Sequence, residues 1–480
     1  MTLHDSEVLV ERDEEVSAVS EDDAAVEDDA AQRSARESDT SERALQAALD
    51  WHLRSAQPVA AVSTVEQSTH AGAGADAARA ISRRVDELAP ELQQLAIELH
   101  DDPEIGFTER RSVARIADVL RRHGVTSEIG AFGLPTAFRA SVGPADGPHF
   151  ALIAEYDALP GVGHACGHNI IAGAAVGAFL AAAPIAERLG ARISLIGTPA
   201  EENGGGKELI LRAGGFDDVD AAGMVHPGAG SAVSPVLAPR TTGVRRVAVT
   251  YRGRAAHAAA SPWLGRNALD AVVTAYQSVA QLRQHILPID RVHGIITDGG
   301  AVPNVVPEQA SALFYVRSAE IETLRALTDR VVDALEGAAL ATGTVAEIDV
   351  DPVPPYLPLQ HNHELTRRWV QAVRDRGRVV PTSPVVQGQG GASTDMGNVS
   401  HYVPSLHPSI GLGGPDDVHP HNAAFAAHTI EPASFAALSD AAVALAVTAV
   451  DFLADPGLRA EVAAEFAAQG GRFRWTDTAD

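Results

Sequence analysis

Apolar residues recur at helical spacing from Ala80 to Leu99, in a pattern that is broken or restarted at Pro90. After the turn Asp101 to Glu104, the stretch Thr108 to His123 is again amphipathic and stops at Gly124. Apolar runs then replace the helical rhythm. Ala137 to Val142, His149 to Ala154 and Arg192 to Gly197 read as strands, with a helix from Asn169 to Leu189 between the last two. Strands that are apolar along most of their length and alternate with helices predict a sheet buried between helical layers. In such sheets the loops beyond the carboxyl ends of the strands build the site. The longest apolar stretch, Ile170 to Pro184, is rich in Ala and Gly, is too short to span a bilayer, and reads as a buried helix.

A second rhythm starts near Gly243. Val244 to Arg252 reads as a strand, Asn267 to His285 as a helix, Arg291 to Asp298 and Ala310 to Arg317 as strands, Glu320 to Ala341 as a helix and Thr344 to Asp351 as a strand. This βαββαβ order is that of ferredoxin-like domains. After Pro352-Val-Pro-Pro355, helix–strand alternation resumes at Glu364 to Arg376, and a long Ala-rich helix covers Ser434 to Leu453. The expected class is α/β, with a main domain over residues 77–241 and 354–470 interrupted by the unit at 242–353.

A chain of 480 residues exceeds what one core usually organises, which agrees with two folded units. The formal charge of −26 argues against nucleic acid or an anionic membrane surface as partner, because both require clustered Lys and Arg. Nearly half of that excess lies before residue 76, in acidic and then Ser/Thr/Ala/Gly-rich sequence, so residues 1–76 are expected to be a mostly disordered tail with a short helix at Leu45 to Arg54. One cysteine makes no internal disulfide, and no signal-like segment opens the chain; a cytoplasmic setting is expected.

That cysteine lies in His164-Ala-Cys166-Gly-His168, just beyond the run that carries Glu155 and Asp157. The run Arg192 to Ala200 ends in Glu201-Glu202, and the short segment Ala221 to Val225 ends in His226-Pro227. Three successive strand ends thus deliver Cys/His, Glu/Glu and His, a donor set suited to a divalent metal. Taken alone, Cys166 also fits a small buried hydrophobe.

The motifs Ala154-Glu-Tyr-Asp-Ala-Leu-Pro160, His164-Ala-Cys-Gly-His-Asn169, Gly197-Thr-Pro-Ala-Glu-Glu202, Met224-Val-His-Pro227, Ala255-Ala-His-Ala258, Pro303-Asn-Val-Val-Pro307 and Ser393-Thr-Asp395 together resemble the M20 metallopeptidases. The resemblance is to their amidohydrolase branch, which holds the p-aminobenzoyl-glutamate hydrolases and Xaa-Arg dipeptidases, and runs from about Leu99 to Pro456. It implies a two-metal catalytic domain and an inserted lid that dimerises. Cys166, His168, Glu202, His226 and a late histidine would hold the metals. His421, followed four positions on by Phe425, matches that late position best; His419 is the runner-up, and His401 and His407 read as surface or supporting residues. Such a mixture of thiolate, imidazoles and carboxylate suits zinc, manganese or cobalt rather than calcium.

By the same resemblance Glu201 is the general base and Asp157 orients a ligand imidazole, while Glu155 stands where many relatives have aspartate and is open to ligand, supporting or structural roles. In the inserted unit His257 would stabilise an oxyanion, often in the neighbouring subunit, and Asn304 and Arg317 would hold a substrate carboxylate; Arg317 also fits an ordinary ion pair. The implied reaction is cleavage, by metal-activated water, of the amide bond in a small N-acyl or aminobenzoyl amino acid or a dipeptide with a free carboxylate. The alternatives are a dipeptidase or carboxypeptidase restricted to dipeptides, and a catalytically silent metal-binding interaction protein.

Overall fold

The computed structural model describes residues 42–51, 68–230, 233–234, 241–380, 392–415 and 418–477. Most of the expected acidic tail lies outside them. Its short helix is present as α1 over residues 42–51. From Ser68 onward the chain is held: Arg368 donates to the His70 carbonyl at 2.9 Å, and the Ala73 amide donates to Asp451 at 2.8 Å.

The main body runs α2 (Ala75–Asp101), α3 (Arg110–Arg122), β1 (Ser127–Ile129), β2 (Phe138–Val142), β3 (His149–Ala154), α4 (His168–Arg188), β4 (Arg192–Gly197), α5 (Gly206–Arg212), β5 (Ala221–Gly223), β6 (His226–Gly228) and β7 (Val233–Ser234). The inserted unit follows as β8 (Gly243–Arg252), α6 (Ala268–Leu282), β9 (Arg291–Asp298), β10 (Gln309–Ser318), α7 (Ile321–Thr342) and β11 (Val345–Val350). The body then resumes with α8 (His363–Asp375), α9 (Met396–Ser400), β12 (Ser405–Leu406), β13 (Ser409–Gly411), α10 (Ala423–His428), α11 (Pro432–Ala454) and α12 (Pro456–Ala468).

Six strands form the central mixed sheet in the order β1-β2-β4-β3-β5-β12. β3, β4, β5 and β12 are parallel, whereas β1 and β2 add an antiparallel edge. All six residues of β3 are buried because its alternating side chains feed two cores. Phe150 and Leu152 pack with α2, α4 and α11, while Ala151 and Ile153 pack with Ile210 of α5 and Met396 of α9. A Cβ on Gly173 would lie 2.6 Å from the Leu438 side chain, so the missing side chain lets Leu438 of α11 reach the α4 backbone.

α2 continues through Pro90 without a break. The proline ring is on the exposed side, and buried Val85, Leu88, Leu92 and Leu95 keep one continuous face on the core, which offsets one missing backbone bond. α4 lies within one residue of the expected helix Asn169 to Leu189; at 21 residues it is long and apolar enough to cross a membrane, as is α11 at 23. Its most apolar window is 94% buried inside the protein, which makes it a core helix.

The inserted unit has sheet order β11-β8-β10-β9, all antiparallel, with α6 and α7 packed on one face through Val247, Val249, Phe314 and Val316. This is the ferredoxin-like arrangement. Its other face carries Arg246, Tyr315 and Arg317.

Candidate active site and metal centre

The expected metal donors converge, though not all on loops. His168 opens α4 and His226 opens β6, a strand paired with β13 rather than with the central sheet. Gly167, at φ 78°, turns the chain between Cys166 and His168, and a Cβ there would lie 2.5 Å from Pro227. That close approach brings Cys166 Sγ to 3.4 Å from His226 Nε2 and 3.5 Å from His421 Nε2. His226 Nδ1 donates to the Pro227 carbonyl at 2.7 Å, so Nε2 keeps its lone pair facing the sulfur.

Asp157 fixes two neighbours at once. Its Oδ1 is 3.0 Å from His168 Nδ1, and its Oδ2 accepts the Glu202 amide at 3.0 Å. His168 Nε2 is thereby aimed at Glu155 Oε2 at 3.4 Å, Glu201 Oε2 at 3.8 Å and Glu202 Oε1 at 3.9 Å.

The Glu201-Glu202 turn is held under strain. Ala200 adopts φ 56°, in the left-handed region where a Cβ is unfavourable, and its amide donates to buried Glu109 at 2.8 Å. Burial pushes that Glu109 carboxyl up to about 7. From the other side the Tyr356 hydroxyl donates to the Glu201 carbonyl and accepts the Gly205 amide at 3.0 Å. His421 is strained likewise, at φ 69°, with its amide donating to the Ala165 carbonyl at 2.7 Å. Its Nε2 sits 3.7 Å from Glu202 Oε2. His419 joins none of the clusters of potential metal donors among the described residues.

Three such clusters share members: Cys166/His168/His226, Cys166/Glu202/His421 and Glu155/His168/Glu201, each with ligand atoms within 4.8 Å of one another. Glu155 Oε2, His168 Nε2 and Glu202 Oε1 are buried without a hydrogen-bond partner among the described residues. Buried polar atoms left unsatisfied and aimed at one another fit a bound cation. The electrostatics agree. Burial pushes the Cys166 thiol far up, and burial followed by repulsion from Glu155, Asp395 and Glu202 raises Glu201 well above the carboxylate range. Such groups keep their protons until a positive charge replaces them.

Sequence reasoning missed Lys207, whose ammonium is fully buried between Glu155 at 2.6 Å and Asp395 at 2.5 Å. Burial acts to raise Glu155, but Lys207 together with His168, His226 and His407 outweighs it and holds the carboxyl at about 2. One Glu155 oxygen is thus tied to Lys207 while the other faces His168. A lone lysine after Gly204-Gly205-Gly206 carries no periodic or spacing signal.

His257 and Asn304 lie together on an exposed ledge of the inserted unit, where the Ala258 amide donates to the Asn304 carbonyl at 3.1 Å. His257 Nδ1 accepts from the Ala259 and Ala260 amides at 3.2 and 3.1 Å, which leaves Nε2 as the protonated, outward nitrogen. Among the described residues neither side chain bonds to the Cys166 cluster. Arg317 donates to Ser393 Oγ at 2.7 Å and to His293 at 3.2 Å, and forms no ion pair with a described residue.

A mixed sheet whose strand ends gather acids, imidazoles and one thiol beneath an inserted ferredoxin-like unit defines a metal-dependent hydrolase of the α/β class. The chain belongs to peptidase family M20/M25/M40, whose profile matches residues 151–444. It is 36% identical to the Xaa-Arg dipeptidase of Mus musculus, over 81% of this chain and 91% of that enzyme. It is 37% identical to a p-aminobenzoyl-glutamate hydrolase chain of Escherichia coli, over 59% of this chain and 62% of that one. The crystal structure of a dinuclear metal-binding M20 peptidase from Bacillus subtilis shares the fold at TM-score 0.57 and 22% identity, covering 76% of this chain and 99% of that one.

Proposed function

We propose that this enzyme is a metal-dependent amidohydrolase that cleaves the amide bond of small N-acyl or aminobenzoyl amino acids or dipeptides bearing a free carboxylate. The observation that carries the reading is the convergence of Cys166, His168, Glu202, His226 and His421, with Glu201 3.8 Å from His168. Those five residues would hold two divalent ions, of zinc, manganese or cobalt type. Ions bound there supply Lewis acidity, which polarises the substrate carbonyl and makes water acidic enough to ionise near neutral pH. Glu201, beside Glu202 but free of the His421 contact, takes the proton from the attacking water and passes it to the leaving amine. Asp157 keeps His168 in the tautomer whose Nε2 faces the cage. Arg317 and Asn304 grip the substrate carboxylate. The single cysteine favours a reducing, cytoplasmic setting. Assay of acyl amino acids, p-aminobenzoyl-glutamate and dipeptides, before and after metal depletion, tests the reading. Metal-dependent hydrolysis of at least one class is expected; no hydrolysis, or hydrolysis indifferent to metal, rejects it.

The exposed position of His257 supports a homodimer built through residues 242–353, with His257 of the partner subunit donating its Nε2–H to the developing oxyanion. β9 is an edge strand with Ile295 and Ile296 61% and 46% exposed, a surface suited to pairing with a second copy. Mixing inactive His257→Ala chains with inactive Glu201→Gln chains should then restore activity, because each heterodimer contains one intact site. No recovery after verified subunit exchange rejects the shared site.

A further inference from the structure

Three arginines are buried among the described residues, and two of them have carboxylate partners: Arg245 pairs with Asp351 and Arg368 with Asp451. Arg246, only 7% exposed, pairs with no carboxylate among the described residues. Its Nε donates to the Tyr315 hydroxyl at 3.0 Å and its Nη1 to the Asn203 carbonyl at 3.3 Å, both neutral partners. In a chain with 63 acidic against 37 basic side chains, a buried guanidinium without a carboxylate is not explained by scarcity of acids. Burying such a charge is costly unless an anion answers it.

Arg246 is not alone. It lies directly across β8 and β10 from Tyr315, and Arg317 is two residues further along β10, so all three share the sheet face away from α6 and α7. The two guanidinium carbons lie 5.1 and 5.8 Å from the Tyr315 ring centre. His293 stands opposite Tyr315 on β9 and completes the patch. The patch borders the reaction centre, because Asn203 follows Glu202 and Ser393, which Arg317 contacts, lies two residues before Asp395.

We propose that Arg246 is a second anion-binding residue of the substrate pocket, and that together with Arg317 it selects amides whose leaving amino acid carries two carboxylates, of aspartyl or glutamyl type. The inference rests on the amidohydrolase reading above. Arg317 takes the α-carboxylate and Arg246 the side-chain carboxylate, for which its planar fork is well shaped. A lysyl or arginyl leaving residue would bring a third positive charge into the patch and be repelled.

The test compares p-aminobenzoyl-L-glutamate with p-aminobenzoyl-L-glutamine, which has the same shape without the second charge. In the metal-loaded wild type, kcat/KM should favour the glutamate by ~10²-fold or more, and Arg246→Gln should bring the ratio to within about threefold of one. Arg246→Lys, which keeps a charge but not the fork, should recover part of the preference. A wild-type ratio near one, or an Arg246→Gln variant that slows both substrates equally while melting like wild type, overturns the proposal. Calorimetric binding of free L-glutamate and L-glutamine to the metal-loaded protein separates this proposal from the hydrolase reading. Glutamate preference that disappears in Arg246→Gln supports the pocket even in a protein that hydrolyses no amide, and equal binding of the two overturns it.

Discussion

Glu201→Gln is expected to keep its metal and its fold while losing turnover by ~10²–10⁴-fold or more, the scale of removing a general base. The amide is isosteric, so the strained turn at Ala200 and the Tyr356 bond to the Glu201 carbonyl remain, since both involve backbone atoms. Glu202→Gln should behave differently, because Glu202 Oε1 is buried without a hydrogen-bond partner among the described residues and Oε2 lies 3.7 Å from His421. An amide there replaces a charged donor and should release metal. Metal analysis paired with turnover separates the two. Loss of metal in Glu201→Gln with retention in Glu202→Gln would mean that the roles are exchanged.

Cys166→Ser should weaken retention of both ions. Cys166 belongs to two donor clusters, one with His168 and His226 and one with Glu202 and His421, so its sulfur is the common member between them. Loss of a group that merely orients a ligand costs ~10–100-fold in affinity, and loss of a shared ligand should exceed that. Activity should collapse with the metal. Wild-type metal content and turnover in this variant would remove Cys166 from the site.

The elements most legible in the sequence were those whose burial is uniform. β3 and β4 are buried on both faces, so their apolar runs have sharp ends, and His149–Ala154 and Arg192–Gly197 are found as read. The inserted unit was legible because its strands and helices alternate in an order that few folds use. Pro90 misled because local propensity takes no account of which helix face meets the core. The chemistry of the cage was visible as strand ends carrying Cys, His and Glu, yet its geometry depends on long-range ties that leave no spacing signal. That His421 and not His419 lies beside Cys166 goes with one backbone bond to Ala165 and a positive φ. Lys207 and Arg246 were invisible for a related reason: each is a single charged residue whose role comes only from what the fold sets beside it.

The most direct measurement is a metal titration of chelator-stripped protein, with bound ions per chain and hydrolysis of p-aminobenzoyl-glutamate and acyl amino acids followed together. The account predicts no turnover in the stripped protein and activity that rises with manganese or zinc and saturates at about two ions per chain. Full turnover in protein shown to be free of metal would contradict it, as would tight binding of ions that never produces hydrolysis of any amide tested.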